Sequence, residues 1–503
     1  MTGTGPAAVG LRDVLAARIG SFSFHGDAAP ALQNVELGVR AGTLTAVLGG
    51  SGSGKTTLGK LLAGWLRAGH SGALTGWLEL AGERLEFRGG GDDPRINPAG
   101  WSDRVGYVPQ DAAAMLSTVR STVAEELAFG LENRGTPRPD MQRKVQHAAE
   151  LTGLAAFLDR DPATLSGGEL RRLAIACAVI TEPQVLVLDE PLASLDAAGV
   201  VVVRDLIDRL TGAGTAVVVL SQSADGLARS AARWLVLDGG TATAGGRPRE
   251  LLRSPELARS GAVLHTVTHT APAVRPGLPA GAAPVLELDG VGFGYSGAGG
   301  AVEEPLLRGL HLRVRPGEIV AVTGPNGAGK STLLRHINGL LRPLAGEVRV
   351  QGQSIAGLPA GRVAAAVGLL FQHPRDQLFE RTVLREVGFG LRRLRGKEAG
   401  AAADAALDAV GLAGEAGTHP AELPASKQRL LALATVLARR PAVLALDEPT
   451  VGLDRHGLEV LRRAIDAEAG RGAAVVLVTH DAVFARAAAH RVLVLDGGTL
   501  RKA

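Results

Sequence analysis

The strongest constraint on the fold of this chain is a glycine-rich motif that occurs twice. Residues 49–56 read GGSGSGKT and residues 324–331 read GPNGAGKS, and both fit the pattern G-x-x-x-x-G-K-[ST]. Glycines let the backbone curl so that successive N–H groups point at phosphate oxygens, while the lysine adds a positive charge and the hydroxyl holds Mg²⁺. The repeat therefore predicts two similar halves, each with its own nucleotide site.

Each motif lies between a strand pattern and a helix pattern, which is the context that a phosphate-binding loop needs. The apolar runs 44–48 and 319–323 come directly before the two loops. The predicted phosphate-binding residues are Gly49, Gly50, Ser51, Gly52, Ser53, Gly54, Lys55, Thr56 and Thr57 in the first half, and Gly324, Pro325, Asn326, Gly327, Ala328, Gly329, Lys330, Ser331 and Thr332 in the second.

Further apolar runs at 185–188 and 217–220, and at 443–446 and 475–478, alternate with helical patterns. This alternation predicts the α/β class, with a mainly parallel sheet covered by helices in each half. Residues 259–284 are rich in Ala, Pro, Gly and Thr and predict a flexible linker. The expected domains are therefore 1–258 and 285–503, separated by this linker.

Composition restricts the partners that the chain can have. The net charge of +4 is too small to indicate nucleic-acid binding by itself. No run of about 18 uncharged apolar residues occurs, so the sequence predicts no transmembrane helix. Any contact with a membrane is expected to go through a partner protein.

A second set of motifs keeps its spacing in both halves. Leu-Asp-Glu-Pro follows an apolar strand at Asp189 and again at Asp447. The distance from Asp189 to Gln222 is 33 residues, and so is the distance from Asp447 to His480. Between its lysine motif and the next glutamine the first half is longer by 13 residues, around 89–98, where we expect a surface loop.

These motifs, in this order, resemble the nucleotide-binding domain of ABC transporters. The order is Walker A, a glutamine after a strand, Leu-Ser-Gly-Gly-Glu, Leu-Asp-Glu-Pro and then Ser-Leu-Asp or Gly-Leu-Asp, and it covers nearly all of the chain. The resemblance implies two tandem P-loop ABC ATPase domains, each with a mainly parallel sheet core, an antiparallel β part and a helical lobe. It also implies ATP and Mg²⁺ as cofactors.

The resemblance gives roles to the positions that match the family's motifs. Without the upstream motifs, an acidic pair after a strand would indicate a solvated strand end, and a strand-end aromatic would indicate packing. The implied catalytic residues are Glu448, His480, Gln372 and Glu190; the implied metal-site residues are Thr56, Ser331, Gln110, Gln372, Asp189 and Asp447; the adenine contacts are Phe24 and Tyr295; and the signature residues are Ser166, Gly167 and Gly168.

In this family two domains pair head to tail, so that each ATP lies between one Walker A motif and the other domain's signature. The second signature is degraded to Leu-Pro-Ala-Ser-Lys at 423–427, and Pro424 has neither a hydroxyl nor a backbone N–H. Gln222 stands in the first half where the family has a histidine. Intramolecular pairing would put both departures in one site, which predicts one competent and one degenerate site.

Residues 371–379 read FQHPRDQLF and residues 382–390 read TVLREVGFG, with an echo of the second segment at 122–133. This pattern is similar to the fused ATPases of energy-coupling factor importers, the cobalt and vitamin class. The resemblance implies a transmembrane coupling protein and a small substrate-capture membrane protein as partners, at the cytoplasmic face of the cell membrane. The alternative for Phe371, Leu378 and Phe379 is that they belong to the core of the lobe.

Two other classes remain open. A double-ATPase sugar importer usually has a spoiled second Walker A motif, whereas Lys330 lies in an intact one. A soluble tandem ABC ATPase acting on ribosomes or nucleic acid usually carries a charged linker helix, zinc cysteines or a coiled coil. Residues 259–284 and the single Cys177 offer none of these, so no nucleic-acid partner is expected.

Overall fold

The structure is a computed structural model, and it divides the chain into two compact units at His265 and Thr266. We call them the first and the second module and describe each by itself. The residues that the structure describes are 13–27, 29–66, 69–264, 281–295 and 305–503.

The first module contains ten strands and nine α-helices within its described residues. The strands are β1 (Asp13–Phe24), β2 (Leu32–Arg40), β3 (Leu44–Leu48), β4 (Gly72–Leu80), β5 (Glu83–Arg88), β6 (Val105–Val108), β7 (Val185–Asp189), β8 (Ala216–Ser221), β9 (Arg233–Asp238) and β10 (Thr241–Gly246). The helices are α1 (Lys55–Leu62), α2 (Pro98–Ser102), α3 (Val123–Glu132), α4 (Arg138–Thr152), α5 (Gly167–Val179), α6 (Ala197–Gly212), α7 (Gly226–Ser230), α8 (Pro248–Leu251) and α9 (Pro255–Arg259).

The ten strands form one mixed sheet in the order β5-β4-β1-β2-β10-β9-β3-β8-β7-β6. Strands β6, β7, β8, β3 and β9 run parallel, whereas β1, β2, β4 and β5 pair antiparallel. Every position of β3, β7 and β8 is buried, as expected for parallel strands that are covered on both faces. The parallel core and the antiparallel part predicted for the fold are therefore both present.

The second module repeats this plan with ten strands and eight α-helices among its described residues. The strands are β11 (Leu286–Phe293), β12 (Leu307–Val314), β13 (Ile319–Thr323), β14 (Ala345–Val350), β15 (Gln353–Ser354), β16 (Val367–Leu370), β17 (Val443–Asp447), β18 (Ala474–Val478), β19 (Arg491–Asp496) and β20 (Thr499–Lys502). The helices are α10 (Lys330–Ile337), α11 (Ala360–Val363), α12 (Val383–Gly388), α13 (Leu391–Arg395), α14 (Ala399–Val410), α15 (Ala425–Leu437), α16 (Arg455–Gly470) and α17 (Ala482–Ala488).

Its parallel sheet has the order β16-β17-β18-β13-β19-β20, and its antiparallel sheet has the order β12-β11-β14-β15. In both modules the strand before the glycine-rich loop lies inside the parallel sheet, between the strand after the Leu-Asp-Glu-Pro motif and a later strand. Because the carboxyl ends of parallel strands meet at one edge, this order brings the predicted site motifs of each module together. Helices α3–α5 and α12–α15 form the helical lobes.

The first module extends beyond residue 258, where the sequence predicted its end. The linker was expected to begin at residue 259, but Arg259 ends helix α9, Ala262 is buried and Leu264 packs on the first module's core. The first module therefore extends to at least residue 264, because these apolar side chains are covered by it. Residues 265–280, most of the predicted linker, lie outside the described residues.

Candidate nucleotide-binding and hydrolysis sites

Both glycine-rich loops adopt the tight curl that their sequence predicts. The last glycine before the lysine, Gly54 or Gly329, has a φ of 92° or 95°, which favours glycine. A Cβ atom on Gly54 would lie 2.6 Å from a Leu32 methyl group, and one on Gly324 would lie 2.2 Å from the Leu495 carbonyl oxygen. A larger residue at either place would displace the loop from its sheet.

The two lysines lie over their loops in the same way. Nζ of Lys55 donates to the carbonyl oxygens of Gly49 and Gly50, at 2.8 and 2.7 Å. Nζ of Lys330 donates to the carbonyl oxygens at positions 324 and 325, at 2.9 and 2.8 Å. Each buried ammonium therefore lies beside the N–H groups of the loop, where its positive charge would attract a bound phosphate.

The hydroxyl after each lysine reaches the aspartate that ends the neighbouring strand. Thr56 Oγ1 donates to Asp189 Oδ2 at 2.7 Å, and the Ser331 hydroxyl bonds to Asp447. Within the described residues, Asp447 Oδ1 is buried without a hydrogen-bond partner. Burial raises the pKa of both aspartates, and the hydroxyl bonds oppose that shift. Paired hard oxygens with one unsatisfied carboxylate atom fit the donor set that Mg²⁺ prefers.

The glutamate after Asp447 forms a close pair with the histidine that the spacing predicts. Glu448 is buried, and its Oε2 lies 2.8 Å from Nδ1 of His480 and accepts the His480 backbone N–H at 3.2 Å. Burial by itself lowers the pKa of His480, but the hydrogen bond and charge of Glu448 outweigh it, so the pKa is raised. The contact with Glu448 therefore stabilises the positive charge of the imidazolium relative to the same ring buried without it.

Among the described residues, no imidazole is paired with the corresponding glutamate of the first module. Oε1 of Glu190 accepts the backbone N–H of Gln222 at 2.7 Å, and the Gln222 side-chain oxygen is buried with no partner among the described residues. Burial raises the pKa of Glu190 to about 8, although the Lys55 charge opposes the shift. The two glutamates share a backbone shape, with φ of 49° and 46°, but differ in their side-chain partners.

Two buried arginines, which the sequence analysis missed, connect the motifs inside each module. Arg171 donates to the carbonyl oxygens of Gln110 and Glu190, at 2.9 and 3.0 Å. Arg429 makes the same two bonds in the second module, to the carbonyls of residues 372 and 448, both at 2.9 Å. Burial lowers the pKa of Arg429 to about 10. The sequence did carry a signal for these arginines, because each lies six residues after the leucine that opens its signature, Leu165 or Leu423.

The helices that follow the signatures begin differently. The Ser166 hydroxyl accepts the Glu169 backbone N–H, and the Glu169 side chain accepts the Ser166 N–H, so α5 starts with a complete capping box. Helix α15 starts after Pro424, which makes no side-chain cap, and Lys427 pairs instead with Glu415 at 2.6 Å. The first module thus has a hydroxyl at its N-cap position, Ser166, where the second module has Pro424.

The two predicted adenine contacts also lie in different surroundings. Tyr295 is exposed, and its hydroxyl is 3.2 Å from Thr332 Oγ1 at the start of the second module's loop helix. Phe24 is half-buried and packs edge-on against Phe22, with ring centroids 5.0 Å apart. Tyr295 is therefore placed beside the phosphate-binding loop, whereas Phe24 packs partly on the core of its module.

Fold and geometry together define a P-loop ATPase with two nucleotide-binding modules. The family model described as "ABC transporter" matches residues 32–193 and 307–451, and an AAA-domain model matches residues 423–486 inside the second module. The chain belongs to the ABC transporter family: it is an ATP-binding protein with tandem ABC domains, an ATPase that uses ATP with Mg²⁺ as the usual cofactor. No helix in the described ranges combines the length and apolar character needed to cross a bilayer.

Relatives match the chain over almost its whole length. A predicted ABC transporter ATP-binding protein of Methanosarcina acetivorans is 32% identical over 484 residues, which cover 95% of this chain and 88% of that protein. Another, of Streptomyces avermitilis, is 35% identical over an alignment of 531 residues, gaps included, which covers 95% of this chain and 91% of that protein. A solved structure described as a model of ribosome-bound archaeal Pelota and ABCE1 has a TM-score of 0.68 at 21% identity, over 96% of this chain and 78% of that one. This last likeness shows the fold alone.

Proposed function

We propose that this protein is the energy-coupling ATPase subunit of a membrane importer of the energy-coupling factor type, for a vitamin or a metal ion. Its partners would be a transmembrane coupling protein and a small substrate-capture membrane protein, at the cytoplasmic face of the cell membrane. The observation that carries this proposal is an exposed aromatic pair in the 371–390 segment, which is the segment that resembles these importers.

The pair consists of Phe379 and Phe389. Their side chains are 65% and 50% exposed, and the two rings meet edge to face with centroids 4.8 Å apart. Phe371 and Leu378 pack partly on the hydrophobic core, as the packing alternative predicts, but Phe379 does not. Adjacent exposed aromatic rings are typical of a surface that another protein covers.

A buried carboxylate fixes the backbone below this pair. Oε2 of Glu386 accepts the N–H groups of Phe379 and Glu380, at 2.7 and 2.6 Å. In the first module Glu126 holds Ser117 in a similar way. These bonds anchor the backbone of the loop from inside, so the position of Phe379 at the surface is held by buried contacts.

The first module presents a different surface at the equivalent place. Phe129 is half-buried, and the Arg120 guanidinium lies 5.1 Å from its ring centroid and pairs with Glu132. The first module therefore covers its aromatic with a charged group, while the second leaves two rings open. This contrast favours an apolar contact with the partner at the second module.

We further propose that the modules pair head to tail and form two unequal ATP sites. Site one would combine the Walker A motif of the first module with the degraded signature at Pro424. Site two would combine the Walker A motif of the second module with the intact signature at Ser166. The Glu448–His480 pair supports a competent site two, and the lone Glu190 beside Gln222 supports a slow site one. Losing two hydrogen bonds to charged groups, at about 1.5–3 kcal/mol each, would slow turnover about 10²-fold or more.

At site two the residues would divide the work of hydrolysis as follows. Lys330 and the loop N–H groups bind phosphate oxygens, while Ser331, Asp447 and Gln372 would hold Mg²⁺, which neutralises phosphate charge. Glu448 orients the attacking water and accepts its proton, and His480 keeps that carboxylate in place. The start of helix α5, at Ser166, would direct its N–H groups at the γ-phosphate.

ATP binding would then close the modules and hydrolysis would reopen them, and the coupling protein would convert this motion into transport. A tagged full-length chain purified from membranes should retain an integral membrane protein. The double change Phe379→Ser and Phe389→Ser should reduce the retained partner about tenfold, because it removes the apolar contact. Val119→Ser is the matched control, since Val119 is exposed in the equivalent loop of the first module.

The alternative is a soluble tandem ABC ATPase that acts on ribosomes or nucleic acid. The ABCE1 structure shares the fold at 21% identity, and this likeness carries no partner to the present chain. The same purification separates the two functions. Nuclease-sensitive RNA or DNA in the purified sample, without a membrane protein and unchanged by the two serine substitutions, would contradict the importer proposal.

A further inference from the structure

The first module has a contact at its phosphate-binding loop that the second module cannot make. The backbone N–H of Gly50 donates to the carbonyl oxygen of Ser260 at 2.6 Å. The corresponding residue of the second loop is Pro325, which has no N–H to donate. The contact therefore depends on one residue at which the two glycine-rich motifs differ.

Ser260 opens a short segment, residues 260–264, that follows helix α9 and leads out of the first module. Ser260 and Ala262 are buried, and Leu264 packs on the core. The Ser260 hydroxyl donates to the Leu257 carbonyl at 2.9 Å, which fixes the turn after α9. These five residues are thus held firmly, directly before the part of the chain that runs to the second module.

The same segment also holds the loop that carries Gln222. The Val263 N–H donates to the Gln222 carbonyl at 2.7 Å, and the Ala224 N–H donates to the Val263 carbonyl at 2.9 Å. Ser223 and Val263 form a parallel β-bridge. Gln222 in turn donates its backbone N–H to the Glu190 carboxylate, so the segment reaches the acidic residue of this site through one intermediate.

We propose that residues 260–264 are a positioning segment that links the phosphate-binding loop of the first module to its Gln222 loop and to the connection between the modules. Nucleotide in this site would change the local stability of the segment, because the segment shares hydrogen bonds with both loops that frame the site. The first module's site would then report its occupancy to the linker. The inference goes beyond the proposed function, and it needs only that the first module binds nucleotide.

Hydrogen–deuterium exchange of the full-length chain tests this inference. A non-hydrolysable ATP analogue with Mg²⁺ should slow exchange in peptides that cover 49–56 and 256–264. Lys55→Ala should remove the response of the 256–264 peptide, whereas Lys330→Ala should leave it. A response that follows Lys330 instead of Lys55 would overturn the proposal.

Two variant pairs each remove one hydrogen bond. Gly50→Pro deletes the donor to Ser260 and copies the second module's loop, while Gly50→Ala keeps the N–H. Val263→Pro deletes the donor to Gln222, while Val263→Ala keeps it. Each proline variant should speed exchange in 256–264 about fivefold, the effect of losing one hydrogen bond, and should remove the nucleotide response. Each alanine control should keep the response.

A purely structural role predicts a different result. In that case the proline variants would speed exchange in 256–264, but nucleotide would slow only the 49–56 peptide of the parent chain, and this outcome overturns the proposal. If Gly50→Pro fails to bind nucleotide, as the 49–56 peptide would reveal, the Val263 pair decides the question. The readout needs no membrane partner, so failure of the importer proposal would leave it unaffected.

Discussion

Nδ1 of His480 lies 2.8 Å from Oε2 of Glu448 in the second module. In the first module the Glu190 carboxylate accepts the backbone N–H of Gln222 at 2.7 Å. The backbone geometry of the two glutamates is nearly the same, so the difference lies in the groups that contact each carboxylate: the His480 ring at Glu448 and the Gln222 backbone N–H at Glu190. This is the sharpest chemical contrast between the modules, and several measurable consequences depend on it.

Glu448→Gln should lower the ATP turnover of the full-length chain by about 10²–10⁴-fold, the range for losing a general base. Glu190→Gln should change turnover less than threefold, because the proposed site one contributes little to it. Steady-state phosphate release with saturating ATP and Mg²⁺ gives the comparison. The assignment of the two sites is wrong if Glu190→Gln abolishes turnover while Glu448→Gln spares it.

The signature of the first module is proposed to serve the site of the second. Ser166→Pro should therefore lower turnover about as much as Glu448→Gln, because it removes a hydroxyl and an N–H at the helix start. The fold should tolerate proline here, since Ser166 has a φ of −64° and the residue before it is extended. Phosphate release and a thermal melt should be measured together.

Pro424→Ser is the matched control for that change, because it acts at the equivalent position of the second module. It should leave turnover at or above the parent value. A loss of turnover from Pro424→Ser, together with normal turnover of Ser166→Pro, would contradict the assignment of the Ser166 signature to site two and of the Pro424 signature to site one.

Arg429→Met should both destabilise the second module and slow turnover. The buried guanidinium donates to the carbonyls of Gln372 and Glu448, and hydrogen bonds to charged groups contribute about 1.5–3 kcal/mol each. Arg171→Met should destabilise the first module to a similar extent, since it breaks the same two bonds. The loss of turnover should be larger for Arg429→Met, because Arg429 contacts Glu448 of the proposed competent site. Equal losses of turnover in the two variants would argue that both arginines affect turnover only through stability.

The pH dependence of stability should reveal the raised pKa of Glu190. Its pKa is raised to about 8 in the folded protein, so the folded state holds a proton that the unfolded state loses near its ordinary value of 4.5. The stability contribution therefore falls as the pH rises between these values. Glu190→Gln should raise the melting temperature by about 2–4 °C at pH 8, which corresponds to about 1 kcal/mol, and have little effect at pH 4.5.

That comparison should be made without nucleotide and Mg²⁺, so that no bound charge adds to the site. Glu83→Gln is a suitable control, because Glu83 is an exposed glutamate of the same module. A rise in melting temperature that is as large at pH 4.5 as at pH 8 would exclude titration of Glu190 as the cause.

The sequence predicted the parallel core well, because continuous apolar runs next to glycine-rich loops allow few other folds. The predicted strands 44–48 and 319–323 coincide with β3 and β13. The start of the linker was misplaced, because small residues such as Ala262 do not reveal from composition that neighbouring elements bury them. Burial of this kind depends on tertiary packing, which periodicity does not encode.

Other features of the site could not be read for the same reason. The Ser260 contact uses a backbone carbonyl, so no residue type marks it. Arg171 and Arg429 look like ordinary surface charges on a helix until their carbonyl acceptors are known. Motifs therefore predicted the residues around the phosphates, while the bonds that connect those motifs required the three-dimensional arrangement.

The positive φ values at Glu190 and Glu448 have a consequence for engineering. A residue other than glycine costs about 1 kcal/mol or more in this left-handed conformation, and both modules retain that cost. On the proposed assignment, the slow site therefore has the same backbone conformation at its glutamate as the competent site, and the two differ in side chains such as Gln222 and His480. Raising turnover at the proposed slow site would then be a matter of exchanging a few side chains, with no rebuilding of the main chain.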